Sequence, residues 1–159
     1  MKNFFSLVLI TCVLSGVCAQ AQDVLKPETC SDKNISFIAD SIKQTFTNHG
    51  YTVVRETSIS MESEYEMAII VPLTKGAWYH IVFVGDPTSK LNEVRMYDWA
   101  ENRVLFEKKK QGDEQPNIIS NSFIPYSSEY YMIKPLQVNK KKKRMCGYVM
   151  LLKKVTNHK

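Results

Sequence analysis

Short runs rich in Val, Ile, Tyr and Phe follow one another over residues 51–155, with turn signals between them at near-regular intervals. The separating segments contain Gly, Pro, Asn and Asp, as in Gly85-Asp86-Pro87. No helical pattern alternates with these runs. The sequence therefore predicts a mainly β fold, an antiparallel β-sandwich or jelly roll of about eight strands, rather than a parallel α/β sheet.

One helix is expected ahead of the strands, over residues 32–49. Its apolar residues recur at helical spacing and form one stripe: Ile35, Ile38, Ile42 and Phe46. Gly50 follows directly, and glycine commonly stands just past the last turn of a helix. We expect this helix to pack on a sheet or to cover one edge of it.

Residues 1–19 have the pattern of a secretory signal peptide, with Lys2, an apolar stretch and then the small-residue sequence Val17-Cys18-Ala19. Cleavage after Ala21 is a second option, and lipid attachment at Cys18 is an alternative that the neighbouring residues fit poorly. The pattern predicts export to the periplasm, the cell envelope or the extracellular space.

The expected mature chain has a polar lead-in over residues 20–31 and a single domain over residues 32–155. No later segment is apolar over a length that would span a membrane. Two cysteines, Cys30 and Cys146, remain after processing, and in an oxidising compartment they can form one disulfide. Such a bridge would stabilise the fold by about 4–5 kcal/mol in the chain-entropy model. The alternative is two free, buried thiols.

Positive charge is concentrated in a few clusters, and the formal net charge is +5. The sharpest cluster is Lys140, Lys141, Lys142, Lys143 and Arg144. Together with Trp99 at a polar turn, it is the candidate ligand-binding edge, and the expected partners are an anionic glycan, lipopolysaccharide or an envelope protein. Export argues against nucleic acid. The alternative is a solvated hairpin loop.

Aromatic residues divide between core and surface by their position in the pattern. Trp78 precedes a strongly β-forming run and is expected in the core, whereas Trp99 follows Asp98 at a turn and is expected to be partly exposed. Of the adjacent pair Tyr130 and Tyr131, one is expected to face the core because successive strand residues point to opposite faces.

No catalytic pattern accompanies the histidines, so we expect neither an enzyme nor a cofactor. His80, inside a strand, is expected to be structural. Glu62, Glu64 and Glu66 alternate, and on a strand they would share one face, where they could bind calcium or act as a carboxylate pair. The alternative is a solvated strand edge.

Two phrases of the strand region carry a family resemblance: Leu73-Thr74-Lys75-Gly76-Ala77-Trp78-Tyr79 and Cys146-Gly147-Tyr148-Val149-Met150-Leu151. Over about residues 65–153 the chain resembles bacterial pre-peptidase C-terminal domains, in the form of an exported envelope protein of Bacteroidetes-type bacteria. The resemblance implies a jelly roll, export and an accessory role, with no catalytic residue to transfer. Arg95 replaces an acidic position in the family's cation-binding strand, which argues against calcium.

The expected function is therefore a non-catalytic binding or accessory module of the cell envelope. Two alternatives remain: an accessory of a metal-dependent hydrolase that uses the carboxylate site, and a purely structural envelope component.

Overall fold

The computed structural model describes residues 28–155, which form one helix followed by eight strands. Helix α1 spans Lys33–Asn48. The strands are β1 Tyr51–Glu62, β2 Ile69–Leu73, β3 Tyr79–Gly85, β4 Leu91–Tyr97, β5 Arg103–Lys110, β6 Ile118–Phe123, β7 Glu129–Val138 and β8 Arg144–Lys154. The predicted fold class, an antiparallel β-sandwich with one N-terminal helix, is confirmed. The expected signal peptide, Cys18 and residues 20–27 of the lead-in lie outside the described residues.

The strands form two four-stranded antiparallel sheets. Sheet A has the order β1-β8-β3-β6, and sheet B has the order β2-β7-β4-β5. The inner faces of the two sheets form the main core, which includes Ile59, Phe83, Met96, Tyr131 and Leu151. Tyr131 is fully buried and Tyr130 is exposed, as the alternation along β7 predicts.

The outer face of sheet A is covered by α1, which creates a second core. Ile35 and Ala39 of the helix pack with four strand residues: Val82, Val84, Met150 and Leu152. Strands β3 and β8 are therefore apolar on both faces, which explains why their sequences read as continuous apolar runs.

Both ends of α1 follow local sequence signals. The Asp32 carboxylate accepts hydrogen bonds from the backbone N–H groups of Asn34 and Ile35, at 2.9 and 3.1 Å. Gly50, with φ of 79°, turns the chain out of the helix in a conformation that favours glycine.

A disulfide joins Cys30 to Cys146 and confirms the predicted pairing, with a Cα–Cα distance of 5.6 Å. It fastens the segment before α1 to strand β8. The same segment lies along the free edge of β1, where the Ser60 N–H donates to the Glu28 carbonyl at 2.8 Å. Part of the lead-in therefore covers a sheet edge that would otherwise present unpaired backbone groups.

Two local expectations are wrong. Trp78 is 49% exposed and is not in the core. Tyr79 takes the inward position at the start of β3, so alternation places Trp78 on the outer side of sheet A, two positions from His80. The sequence pattern also predicts two short strands, over residues 51–57 and 58–61, but the structure has one strand there, β1, with a register irregularity between Val53 and Arg55.

Within residues 28–155, no helix is long and apolar enough to cross a membrane.

Candidate binding surfaces

The two parts of the predicted ligand-binding edge lie at opposite ends of sheet B. Tyr97, next to Trp99, pairs with Met132 of β7, and Leu91 pairs with Val138, next to the basic loop. Six residues of strand separate these two pairs, which corresponds to about 20 Å. The sequence elements therefore form two surfaces instead of one.

The basic end is defined here by the three lysines Lys140, Lys141 and Lys143 in the loop between β7 and β8. The other two cations of the predicted cluster have structural partners. Lys142 Nζ lies 2.6 Å from Asp86 Oδ2, and Arg144 lies 2.8 Å from Glu28 Oε2. Asp86 is only 2% exposed, so its ion pair with Lys142 fastens the basic loop to the loop between β3 and β4.

The Asp86 carboxylate is held in its ionised form. The Thr88 N–H and hydroxyl both donate to Asp86 Oδ1, at 2.9 and 2.6 Å. Burial alone would raise the pKa of Asp86, but the Lys142 ammonium and the Thr88 hydrogen bonds outweigh it and lower this pKa. At neutral pH the loop is therefore anchored by a charge-assisted contact.

Asn139 fixes the start of the same loop through three further hydrogen bonds. Its backbone N–H donates to Ser63 Oγ at 2.9 Å, and its side-chain amide donates to the Thr88 carbonyl at 2.8 Å. Its side-chain oxygen accepts the Lys141 N–H at 3.1 Å. These contacts attach the basic loop to the segment after β1 and to the loop between β3 and β4.

Below this end, the fully buried side chain of Gln137 joins the two sheets. Its Oε1 accepts the Asp86 N–H at 2.7 Å, and its Nε2 donates to the Cys146 carbonyl at 3.0 Å. Gly85 and Gly147, which are paired in sheet A, make room for it: a Cβ at either would come within 3.0 or 3.1 Å of the Gln137 amide. The position of the basic end is therefore set by satisfied polar contacts in the core.

The three lysines of the basic end are exposed, and none has an acidic partner at ion-pair distance among residues 28–155. Their ammonium groups remain available to an external anion. A cluster of this kind attracts polyanions over a range set by ionic strength, and it needs no shape complementarity.

The aromatic face is the second surface and occupies the outer side of sheet B near Trp99. It is defined here by Ile70, Tyr97, Trp99, Phe106, Tyr130 and Met132. Ile70 pairs with Met132 across β2 and β7, and Met132 pairs with Tyr97 across β7 and β4. The Trp99 and Tyr130 rings are 6.0 Å apart at an angle of 53°. Trp99 is 63% exposed, as predicted, and Tyr130 is 54% exposed.

Cations lie over two of these rings. The Lys134 ammonium is 4.9 Å from the centre of the Tyr97 ring, and the Arg103 guanidinium is 4.9 Å from the centre of the Phe106 ring. Such contacts hold long cationic side chains against the sheet surface. The aromatic face is therefore bordered by positive charge.

Next to the aromatic face, charged side chains form a ladder across sheet B. Arg95 pairs with both Glu66 and Glu93, and Lys108 pairs with Glu93 at 3.0 Å. Burial would raise the pKa of Glu93, but Lys108 and Arg95 outweigh it and lower this pKa. The two carboxylates are therefore neutralised by protein cations.

The expected shared face of Glu62, Glu64 and Glu66 is wrong. Glu62 ends β1, and Glu64 lies in the connection to β2 with φ of 71°. Since β2 begins at Ile69, Glu66 also precedes the strand. A turn between the residues removes the two-residue alternation on which the expectation depended. Within residues 28–155, no group of three or more His, Cys, Asp or Glu side chains is arranged to hold a metal ion.

His80 lies between two serines on the outer face of sheet A. Its ring nitrogens are 2.7 and 3.0 Å from the hydroxyls of Ser120 and Ser122, and its ring is 4.2 Å from that of Phe46 at the end of α1. Burial lowers the pKa of His80 and favours its neutral form. Among the described residues, no carboxylate bonds to this ring to orient it, which a catalytic triad would require.

Sequence reasoning missed Asp86, Gln137 and the pairing of Tyr130 with Trp99. Alternation along β7 gave a usable signal, because Gln137 has the inward parity of Tyr131 and Ile133. Asp86 gave no comparable signal, since an Asp before Pro in a loop is common in turns. Its partner is 56 residues away along the chain.

Comparisons with known proteins identify no family. No protein-family model matches the chain, and a search of curated proteins gives no match. Among solved structures, the chain is similar to PliG, a periplasmic inhibitor of g-type lysozyme from Aeromonas hydrophila, with 6% identity and a TM-score of 0.46 over 63% of this chain and 85% of that one.

Two further structures are similar over about two thirds of the chain. One is a Gap123 glycosylation-associated protein complex from Streptococcus agalactiae, with 18% identity and a TM-score of 0.39 over 70% of this chain and 44% of that one. The other is a Bacillus endospore appendage of a disulfide-linked pilus family, with 12% identity and a TM-score of 0.36 over 67% of this chain and 91% of that one. With these TM-scores, the similarities indicate no function for the chain.

Proposed function

We propose that this protein is a non-catalytic, exported binding module of the cell envelope and that its basic end binds an anionic envelope polymer, either lipopolysaccharide or an acidic glycan. The observation that carries the proposal is the set of three exposed lysines, Lys140, Lys141 and Lys143, on a loop whose other contacts are satisfied within the protein.

The contrast within the basic cluster supports a binding role. Lys142 is fixed by buried Asp86, whereas its neighbours Lys141 and Lys143 have no acidic partner among the described residues. A lysine near an anionic surface contributes about 1 kcal/mol to binding, so three together give a measurable attraction at physiological salt. This attraction should weaken steeply as ionic strength increases.

The disulfide supports the exported location. Cys30 and Cys146 are joined, and such bridges persist mainly in oxidising compartments outside the cytoplasm. The signal-peptide pattern of residues 1–19 points the same way. An accessory role of the kind seen beside peptidases, which the resemblance to pre-peptidase C-terminal domains implies, is part of the proposal.

The test compares two triple variants of the mature protein, residues 20–159. The first is Lys140→Gln/Lys141→Gln/Lys143→Gln. The second, Arg55→Gln/Lys75→Gln/Lys153→Gln, removes the same charge on β1, in the turn before β3 and near the far end of β8, all away from the basic end. Binding to purified lipopolysaccharide and to heparin is measured by calorimetry at low, physiological and high salt.

We expect the basic-end variant to lose at least tenfold in affinity for one of these probes at physiological salt, and the control variant to lose less than threefold. The salt dependence should also become shallower in the basic-end variant. Equal losses of affinity in the two variants would show that only the net charge matters, which would contradict the proposal. The absence of binding by the unmodified protein would also contradict it.

A further inference from the structure

The aromatic face has no role in the function proposed for the basic end. We infer that it is a separate binding site for an acidic oligosaccharide of two to three sugar rings. The site lies about 20 Å from the basic end along β7 and does not depend on it.

Among residues 28–155, no helix covers the outer side of sheet B, whereas the outer side of sheet A lies under α1. Val82 and Leu152 on the helix side of sheet A are fully buried, but Ile70 and Tyr130 on the outer side of sheet B are each 54% exposed. Within residues 28–155, no element packs over the aromatic face. Aromatic and aliphatic side chains of sheet B are therefore in contact with solvent on this side.

Trp99 and Tyr130 are the two most exposed rings of the aromatic face, at 63% and 54%. Trp99 and Tyr130 are tilted by 53° with centroids 6.0 Å apart, so neither ring lies flat on the other. An aromatic ring has an apolar face and a polar edge, which suits a ligand that has both apolar C–H surface and hydroxyl groups. A sugar ring has this combination.

The turn that carries Trp99 is held in place before any ligand binds. The Asp98 carboxylate is buried and accepts hydrogen bonds from the Asn102 N–H, at 2.8 Å, and from the Tyr126 hydroxyl. The hydrogen bond to Asp98 raises the pKa of Tyr126 to about 12, so the hydroxyl stays protonated as the donor of this contact. A fixed turn reduces the ordering cost of binding.

Charge complementarity indicates an acidic ligand. Arg103 pairs with Tyr97 across β4 and β5 and has no acidic partner at ion-pair distance among the described residues. Lys134 lies over Tyr97 and is 3.8 Å from Glu66, a contact too long to satisfy it fully. The guanidinium of Arg103 is suited to bidentate binding of a carboxylate or sulfate group.

The size of the face favours an oligosaccharide over a protein. Four strands span about 14 Å, and the apolar rows extend over two residue pairs, so the surface is on the order of 200 Å². A stable protein interface buries about 800 Å² on each partner. A second copy of the chain is also disfavoured, because a two-fold interface would bring the same cations together.

The test uses tri- and hexagalacturonate as acidic probes, with cellohexaose as the neutral probe. Binding to the mature protein is measured by calorimetry and tryptophan fluorescence. The variant Trp99→Ala is compared with Trp78→Ala, which removes the other exposed tryptophan. Arg103→Gln is compared with Arg55→Gln on β1.

We expect an acidic oligosaccharide to bind more tightly than cellohexaose. Trp99→Ala should reduce that affinity at least tenfold and Arg103→Gln at least threefold, while both controls and the Lys140→Gln/Lys141→Gln/Lys143→Gln variant change it less than twofold. Failure of every acidic probe to bind, or equal effects of Trp99→Ala and Trp78→Ala, would overturn the inference. Loss in the basic-end variant alone would also overturn it, while supporting the proposed function.

Discussion

Sheets A and B are built from four antiparallel strands each, yet within residues 28–155 only sheet A is covered on both faces. On its outer side, Met150 and Leu152 lie fully buried under α1, and the disulfide fastens the preceding segment to β8. On the outer side of sheet B, Tyr97, Met132 and Lys134 meet solvent. Among the described residues, sheet A therefore has buried apolar contacts on both faces, whereas the outer side of sheet B keeps side chains in contact with solvent.

The largest expected effect on the free energy of unfolding comes from removing the disulfide that fastens the cover of sheet A. Replacing Cys30 and Cys146 by Ser should lower the free energy of unfolding by about 4 kcal/mol, because the bridge closes a loop of 116 residues in the unfolded chain. Chemical denaturation at pH 7 measures the loss. Reduction of the unmodified protein should give the same shift, and an unchanged midpoint in both experiments would show that the cover over sheet A does not depend on the bridge.

A smaller effect is expected from matched truncations on the two outer faces. Leu152→Ala under α1 should cost about 3 kcal/mol, since it leaves a cavity between helix and sheet. Ile70→Ala on the outer face of sheet B should cost about 0.5 kcal/mol, because Ile70 is 54% exposed. Denaturation midpoints compare the two. Equal losses would remove the distinction between a covered and an open sheet.

The smallest effect concerns the anchor of the basic loop. Lys142→Gln should cost about 1–2 kcal/mol at pH 7, because it leaves the Asp86 carboxylate buried without its cation, while Lys142 itself is partly exposed. Lys141→Gln, which removes a lysine from the basic end, is the matched control and should cost less than about 0.5 kcal/mol.

The pH dependence of that anchor follows from the lowered pKa of Asp86. A carboxyl group with a lower pKa in the folded protein stabilises the fold above its unfolded pKa of about 3.9, and that stabilisation is lost as the pH falls through the folded value. The difference between Lys142→Gln and the unmodified protein should therefore shrink below about pH 4. A difference that stays constant from pH 7 to pH 3 would contradict the assigned ion pair.

The sequence predicted most of the fold because inward apolar residues alternate with outward residues along several of the strands. Strand β7 alternates between inward Tyr131 and Ile133 and outward Met132 and Lys134. This alternation gave the correct prediction that one of the pair Tyr130 and Tyr131 faces the core. Strand β3 is buried on both faces, so its sequence does not show which of its residues point inward. Without that information from the structure, Trp78 was assigned to the core.

Polar contacts between residues that are distant in sequence could not be predicted from the local sequence pattern. The five cations of residues 140–144 look equivalent in sequence, but Lys142 meets Asp86 and Arg144 meets Glu28 only because the loops adjoin in the folded protein. The same applies to the distance between the basic loop and Trp99, which depends on the pairing of β4 with β7. Strand order cannot be derived from periodicity alone.

The most direct test of the proposed function is to map where lipopolysaccharide or heparin binds on the isotope-labelled mature protein by NMR. We predict that the amide shifts that change most, and that revert at high salt, are those of residues 139–143, with smaller changes in the adjoining residues 86–90. Changes centred on α1, or spread evenly over all exposed lysines, would contradict a binding site at the basic end.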